Sequence, residues 1–329
     1  MAAERHALSG GRWHFQHGPI DLVIGADGNA DAVAGAHQAA WRRFTGVLDE
    51  LVRELPALKR PVAGGVAGAC PLIGPVARRM WSACEPHRAV FVTPMAAVAG
   101  SVADELIGAY RRPGIERAWI NNGGDIALHL TPDASLRVGL FADLARFDLR
   151  FDLRFDLHFP AAASIDASFD IHHALPVRGI ATSGWRGRSF SLGIADSVTV
   201  LARTAAAADA AATVIANAVD VDDDRVERRP ASALKDDSDL GMIPVTVQVP
   251  RLEVRLVHEA LARGRERARG LRDAGLIWSS ALVCQGWFMD LDRAEPVRCG
   301  EAHSGDLNDT APSAVELLQS LLHESHERR

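Results

Sequence analysis

Four short stretches of this chain combine residue types that could do chemistry. The first is Asn121-Asn122-Gly123-Gly124-Asp125, which follows the apolar run Ala118-Trp119-Ile120. Adjacent glycines after a strand let the backbone turn sharply or lie against a ligand, and Asp125 offers a carboxylate to a ribose hydroxyl or a cation. A plain Asn-Gly hairpin turn accounts for the same residues. The second is Gly179-Ile180-Ala181-Thr182-Ser183-Gly184. Here an apolar strand ends in two hydroxyls and a glycine, Thr182, Ser183 and Gly184, which suit contact with a phosphate or a ring edge. A turn closed by a Ser or Thr side chain is the plainer reading. The third is Asp209 with Thr213. Four residues apart on a helix, they share a face and offer the hard oxygens that Mg²⁺ prefers. Alternatively, Asp209 simply favours the positive end of its own helix, with Thr213 packed. The fourth is His172-His173. Neighbours on a strand point to opposite faces, so these two cannot ligate one ion together, and a surface or core role is the simpler reading.

The elements that must position these stretches follow from periodicity and punctuation. Arg12–His17 and Ile20–Ile24 read as a strand pair split by Gly18-Pro19. Trp41, Phe44, Leu48, Leu51, Val52 and Leu55 recur at helical spacing, predicting a helix from about Ala30 that Pro56 closes. Residues 60–75 read as a loop and Val76–Cys84 as a short helix. Thr93-Pro94 predicts another helix start, Thr as N-cap and Pro in the first turn, running to about Tyr110. Its small residues Ala96, Ala97, Ala99, Gly100, Ser101 and Ala103 allow close approach to a neighbour, and its first amides could face a phosphate. Further on, Ser197–Leu201 predicts a strand and Thr204–Ala218 an alanine-rich helix. Residues 220–240 read as a solvated loop, Ile243–Val249 as a strand and Arg251–Ala274 as a charged amphipathic helix. Leu276–Phe288 reads as one strand, and a helix is expected at 314–323. The tandem repeat RFDLRFDLRFDLHF at 146–159 alternates like an amphipathic strand or hairpin.

Composition narrows the function classes. The chain has 329 residues, 48% hydrophobic and 24% charged, which is globular rather than disordered. A net charge of −6 gives no basic footprint for nucleic acid. Cys70, Cys84, Cys284 and Cys299 form no CxxC pair, so neither a disulfide framework nor a structural zinc site is expected. The uncharged stretch 89–103 is too short for a membrane span and contains Pro94. The first residues lack the apolar segment of a secretory signal. The expectation is a cytoplasmic protein with no membrane partner. Self-association into a homo-oligomer is left open.

In order along the chain, the small-residue stretch Met95-Ala96-Ala97-Val98-Ala99-Gly100 is followed by Asn122-Gly123-Gly124-Asp125-Ile126. Ala181-Thr182-Ser183-Gly184, Asp196-Ser197-Val198-Thr199-Val200 and Ala208-Asp209-Ala210-Ala211-Ala212-Thr213 come next. This succession, over about residues 12–288, resembles the ApbE superfamily, whose best-known members are magnesium-dependent FAD:protein FMN transferases. It is more similar to the cytoplasmic, UPF-type branch than to the exported transferases. The resemblance implies an α+β fold, with mixed β-sheets flanked by helices, over residues 1–289 and a polar tail at 290–329. It implies a pocket for a small-molecule flavin or nucleotide ligand, FAD above all, lined by Gly123, Gly124, Asp125, Thr182, Ser183 and Gly184. It also implies Mg²⁺ on Asp209 and Thr213. The transferases carry a His-x-Ile-Asp-Pro hairpin between the Thr-Ser-Gly turn and the Val-Thr-Val strand. Here no histidine occurs from Ala174 to Val257, and Asp196 is the only acidic residue between Gly184 and Ala208. Asp196 is therefore the catalytic candidate, the group left to activate a nucleophile. The expected function is flavin or nucleotide binding with action on a phosphoanhydride. A non-catalytic binder and an enzyme using the pocket on another phosphorylated substrate are the alternatives.

Overall fold

The computed structural model describes residues 2–62, 70–140 and 167–299. The central feature is a ten-stranded sheet. Its strands are β1 (Glu4–Ala7), β2 (Trp13–His17), β3 (Ile20–Gly28), β4 (Ile115–Asn122), β5 (Asp125–Leu130), β8 (Gly179–Ser183), β9 (Ser197–Ala202), β12 (Ser279–Cys284), β13 (Trp287–Asp290) and β14 (Val297–Arg298), in that spatial order. Two hairpins stand apart: β6 (Ser135–Leu140) with β7 (Ala167–His172), and β10 (Glu227–Pro230) with β11 (Pro244–Gln248). The α+β class is as expected. The expectation of mixed sheets is corrected: every pairing among the described residues is antiparallel. Two-residue turns enforce this at β2–β3, β4–β5 and β12–β13, and the longer crossings at β3–β4, β5–β8 and β9–β12 also return antiparallel.

Strand alternation divides the core between two faces. On one face Phe15, Leu22, Ile24, Ala118, Ile120 and Ala127 meet α1 (Ala30–Leu58), α2 (Pro75–Cys84) and α3 (Val98–Ile107). Ala181, Val198 and Val200 continue that face against α4 (Ala205–Ala218) and α6 (Val254–Asp273). On the opposite face Leu128, Leu130, Ile180 and Leu201 pack with Val138 and Ile171 of the β6–β7 hairpin. α4 is buried nearly all round, and its run of alanines makes it thin enough to fit between the sheet, α3 and α6. No helix among the described residues is long and apolar enough to cross a membrane.

Several sequence expectations are corrected in detail. α1 continues through Pro56 to Leu58, since proline in a final turn forfeits only one hydrogen bond before the helix would end anyway. The helix expected at 93–110 is three pieces: a 3₁₀ turn at Pro94–Ala97, α3, and a 3₁₀ turn at Gly108–Tyr110. Thr93 does not cap it; its hydroxyl donates to Asp239 Oδ2 at 2.5 Å. The segment expected as a solvated loop at 220–240 holds β10 and the single-turn α5 (Ala231–Leu234). The strand expected at 276–288 is a hairpin, because Gln285 and Gly286 both take positive φ and fold β13 back on β12. The expected polar tail contributes β14, paired with β13. The 146–159 repeat, the 314–323 helix and most of the 60–75 loop's glycine-rich centre lie outside the described residues.

Candidate functional site

Three of the four stretches converge where the helical layer meets one end of the sheet. Asn122 and Asp125 are directly paired across the β4–β5 hairpin, so Gly123-Gly124 is a two-residue loop. Both glycines have positive φ, 66° and 115°, as a primed hairpin turn requires. The turn reading holds, and the tight loop puts Asp125 at the head of β5. Alternation places Asn122 and Asp125 on the helical face, with Ile120 and Ala127. Asn122 Nδ2 donates to Ala99 O at 3.0 Å, tying the hairpin to the start of α3. Asp125 is 9% exposed and accepts from the backbone N–H of Thr182 at 3.3 Å.

The small residues expected to open α3 to a phosphate serve a different partner. The Gly100 N–H donates to Asp209 Oδ2 at 2.9 Å, and the Ala99 amide also bonds this carboxylate. Asp209 thus caps α3, not its own helix. The arrangement is reciprocal, because Asp104 on α3 accepts from Ala205 N at 3.1 Å and Ala206 N at 2.8 Å at the start of α4. Thr204 adds its own cap to Ala207 N. Two helices that each present a carboxylate to the other's N-terminal amides are locked in one register. Each pairing satisfies amides that a helix start leaves free and sets a negative charge at its positive end. Close approach needs Gly100, where a Cβ would stand 2.3 Å from Ala205 O.

Electrostatics mark Asp125 and Asp209 as a pair. Burial raises the Asp125 carboxyl to about 7, against the opposing pull of the Thr182 amide and the Arg188 guanidinium. Burial raises Asp209 as well, the charge of Asp125 adds to it, and the Gly100 and Ala99 amides oppose it. Two carboxylates that repel one another in a poorly hydrated site are a ready place for a divalent cation. Thr213 follows one turn along α4 on the face of Asp209. Among the described residues no group of three or more His, Cys, Asp or Glu side chains is placed to hold a metal. Mg²⁺ does not need one, since it usually binds through one or two carboxylates and completes its shell with water and substrate phosphates. The donor set fits that pattern.

The Thr-Ser-Gly strand end splits between the two faces. Ser183 shares the helical face with Ala181. Thr182 points the other way, with Ile180, and its hydroxyl bonds that of Thr199 at 2.9 Å across the β8–β9 ladder. Only the Thr182 amide serves Asp125. Gly184 is a packing glycine: a Cβ there would lie 2.4 Å from Asp196 O. Asp196 is 7% exposed and already engaged. It accepts from the Gln285 N–H at the β12–β13 turn and from the Trp185 indole at 3.3 Å, with Arg186 Nε at 3.7 Å. This carboxylate holds the positive-φ turn at Gln285 and the root of the 185–188 segment. His172 and His173 end the β6–β7 hairpin; the His173 backbone donates to Ala134 O and accepts from Arg178 Nη2, apart from the Asp125–Asp209 pair. Sequence reasoning did not single out Asn122 alone, Asp104, Arg186 or Arg188. Its only available signal for the arginines was Trp185-Arg186-Gly187-Arg188 directly after the Thr-Ser-Gly end.

An antiparallel sheet with helices on one face defines an α+β protein, and an interacting acidic pair, Asp125 buried and Asp209 half-buried, lies between its glycine hairpin and two reciprocally capped helices. A family model described as "AbpE bacteria" matches residues 5–291, so the chain belongs to the ApbE superfamily, in the branch of the UPF0280 proteins. The UPF0280 protein of Methanopyrus kandleri is 34% identical over 232 residues, 70% of this chain and 83% of its own length. That of Methanothrix thermoacetophila is 34% identical over 149 residues, covering 45% of this chain and 54% of the relative. That of Methanospirillum hungatei is 38% identical over 141 residues, 41% of this chain and 50% of the relative. The chain spans about half the length of these last two relatives. Among solved structures, the apo form of the flavinyl transferase ApbE of Pseudomonas stutzeri is similar at 13% identity, covering 88% of this chain and 92% of that one with a TM-score of 0.40. The ApbE protein of Thermotoga maritima is similar at 12% identity, 86% and 94% coverage and the same TM-score.

Proposed function

We propose that this protein binds a phosphorylated flavin, FAD above all, with Mg²⁺ held between the ligand and the Asp125–Asp209 pair. The mutually repelling carboxylates, Asp125 buried and Asp209 half-buried, carry this reading, and family membership supports the ligand class. Asp209 and Thr213 would hold the metal from α4, and Asp125 would face it from the glycine hairpin. When bound, Mg²⁺ supplies charge neutralisation at a phosphoanhydride. The chain's own residues do the rest. The reciprocal caps fix Asp209 in position, Asn122 fixes the hairpin against α3, and Ser183 offers a hydroxyl on the same face. Asp196 anchors the segment that carries Arg186 and Arg188; with its oxygens occupied by an amide and an indole, it makes a poor proton acceptor. This favours binding, or action on a phosphorylated substrate, over protein flavinylation.

The test is isothermal titration with FAD, FMN and riboflavin, with and without Mg²⁺, on the parent and on Asp209→Asn. The parent should bind FAD more tightly with Mg²⁺. The variant should keep its fold and lose the magnesium dependence, because Asn keeps the shape but not the charge a hard cation needs. Equal binding by both proteins, or no binding of any flavin by the parent, refutes the reading.

A further inference from the structure

The two arginines after β8 are held differently. Arg186 lies over the Trp185 ring at 4.9 Å and pairs with Asp196 at 3.7 Å. Arg188 is exposed and has no ion pair and no side-chain hydrogen bond among the described residues. It nevertheless has a definite seat. A Cβ at Gly123 would stand 2.2 Å from Arg188 Nη2 and 2.9 Å from Cζ, so the guanidinium lies directly on the bare backbone of the glycine hairpin. The backbone of Gly187 folds back onto Gly184 O at 3.0 Å, which turns the segment toward that hairpin. Gly123 meets the positive φ of the turn, and its bare backbone leaves room for a cation beside Asp125.

We propose that Arg188, whose guanidinium lies on Gly123, is the phosphate-recognising residue of this site. The inference rests on the reading that the site takes a phosphorylated flavin or nucleotide, and it names the contact that selects for the phosphate. A phosphate approaching Asp125 and Asp209 meets two like charges. A cation beside them offsets this, and the planar fork of arginine can donate two parallel hydrogen bonds to phosphate oxygens. The Arg188 charge acts on Asp125 without a direct ion pair, which leaves the donors of its fork open to a ligand.

The experiment compares FMN with riboflavin, which share a ring system and differ by the phosphate, on the parent, Arg188→Ala, Arg188→Lys and Gly123→Ala, all with Mg²⁺. Arg188→Ala should weaken FMN by about 10- to 100-fold, as loss of a charge-assisted hydrogen-bonded pair does, and leave riboflavin unchanged. Lysine should restore part of the FMN affinity, keeping the charge without the fork. Gly123→Ala should reproduce the selective loss by displacing the guanidinium. Because alanine is strained at that φ, Arg188→Ala, an exposed position, carries the decision. Equal weakening of FMN and riboflavin, or no change in either, overturns the proposal. If the parent binds neither flavin, the flavin reading fails by itself and pyrophosphate and ATP decide Arg188 in the same titration. Weaker binding of these by Arg188→Ala supports the proposal; unchanged binding, or none by the parent, overturns it.

Discussion

Replacing Asp125 by asparagine should make the metal-free protein more stable at neutral and alkaline pH. The carboxyl rises from 3.8 to about 7 on folding, chiefly through burial. An acid with a raised folded pKa binds more protons folded than unfolded between the two values. Stability therefore falls as pH climbs from about 4 to about 7 and stays low above that. The interval corresponds to about 4 kcal/mol, taken at about 1.4 kcal/mol per pH unit. The asparagine side chain carries no charge at any pH, keeps an oxygen for the Thr182 amide, and relieves Asp209 of its like-charged neighbour. In urea melts without divalent ions, Asp125→Asn should gain up to about 4 kcal/mol over the parent at pH 8, and the gap should close near pH 4. Saturating Mg²⁺ should stabilise the parent at pH 8 and leave the variant almost unmoved. An unchanged or lower midpoint for the variant at pH 8 would refute the argument that these carboxylates are a destabilising pair awaiting a cation.

Three further outcomes are expected. Gly100→Ala places a methyl 2.3 Å from Ala205 O and must part α3 from α4. A loss of about 3 kcal/mol in chemical denaturation, with loss of magnesium-dependent binding, is expected, and an unaltered melting temperature would contradict the reciprocal capping. His87 is buried, and burial first and Arg267 second lower its pKa to about 4. Its contribution is fully present above about pH 6.5 and is lost as pH falls from there to about 4, so His87→Gln should flatten the acid limb of stability by about 3 kcal/mol; parallel pH profiles for parent and variant would count against it. Incubation with FAD, Mg²⁺ and a threonine-containing acceptor domain should yield no covalent flavin fluorescence in a denaturing gel, since Asp196 is committed to Gln285 and Trp185. A strong band that disappears in Asp196→Asn would restore Asp196 as a catalytic group.

What the sequence determined by itself was local. Periodicity and punctuation located α1, α2, α4, α6, β2, β4, β9 and β11 to within a few residues, because helix and strand patterning is written in nearest neighbours. The order of the motifs was enough to indicate the family that the match over residues 5–291 shows. The glycine pair, Asp125 and Asp209 were legible as chemistry-bearing residues, although each had an ordinary structural reading of comparable weight. Tertiary structure decided how those readings combine. That Asp209 caps α3 while Asp104 caps α4 depends on two helices about a hundred residues apart, and no spacing rule reaches so far. Which face Thr182 takes follows from the register of β8 on β9, which sends its hydroxyl to Thr199 and away from Asp125. Asp196 looked free because a carboxylate's partners, here Gln285, Trp185 and Arg186, are invisible until the chain folds. Arg188 passed as one surface arginine among many until the fold laid it on Gly123. Patterning is local, whereas the burial and charge pairing that turn residues into a site come from contacts between distant segments, and only the folded chain sets those.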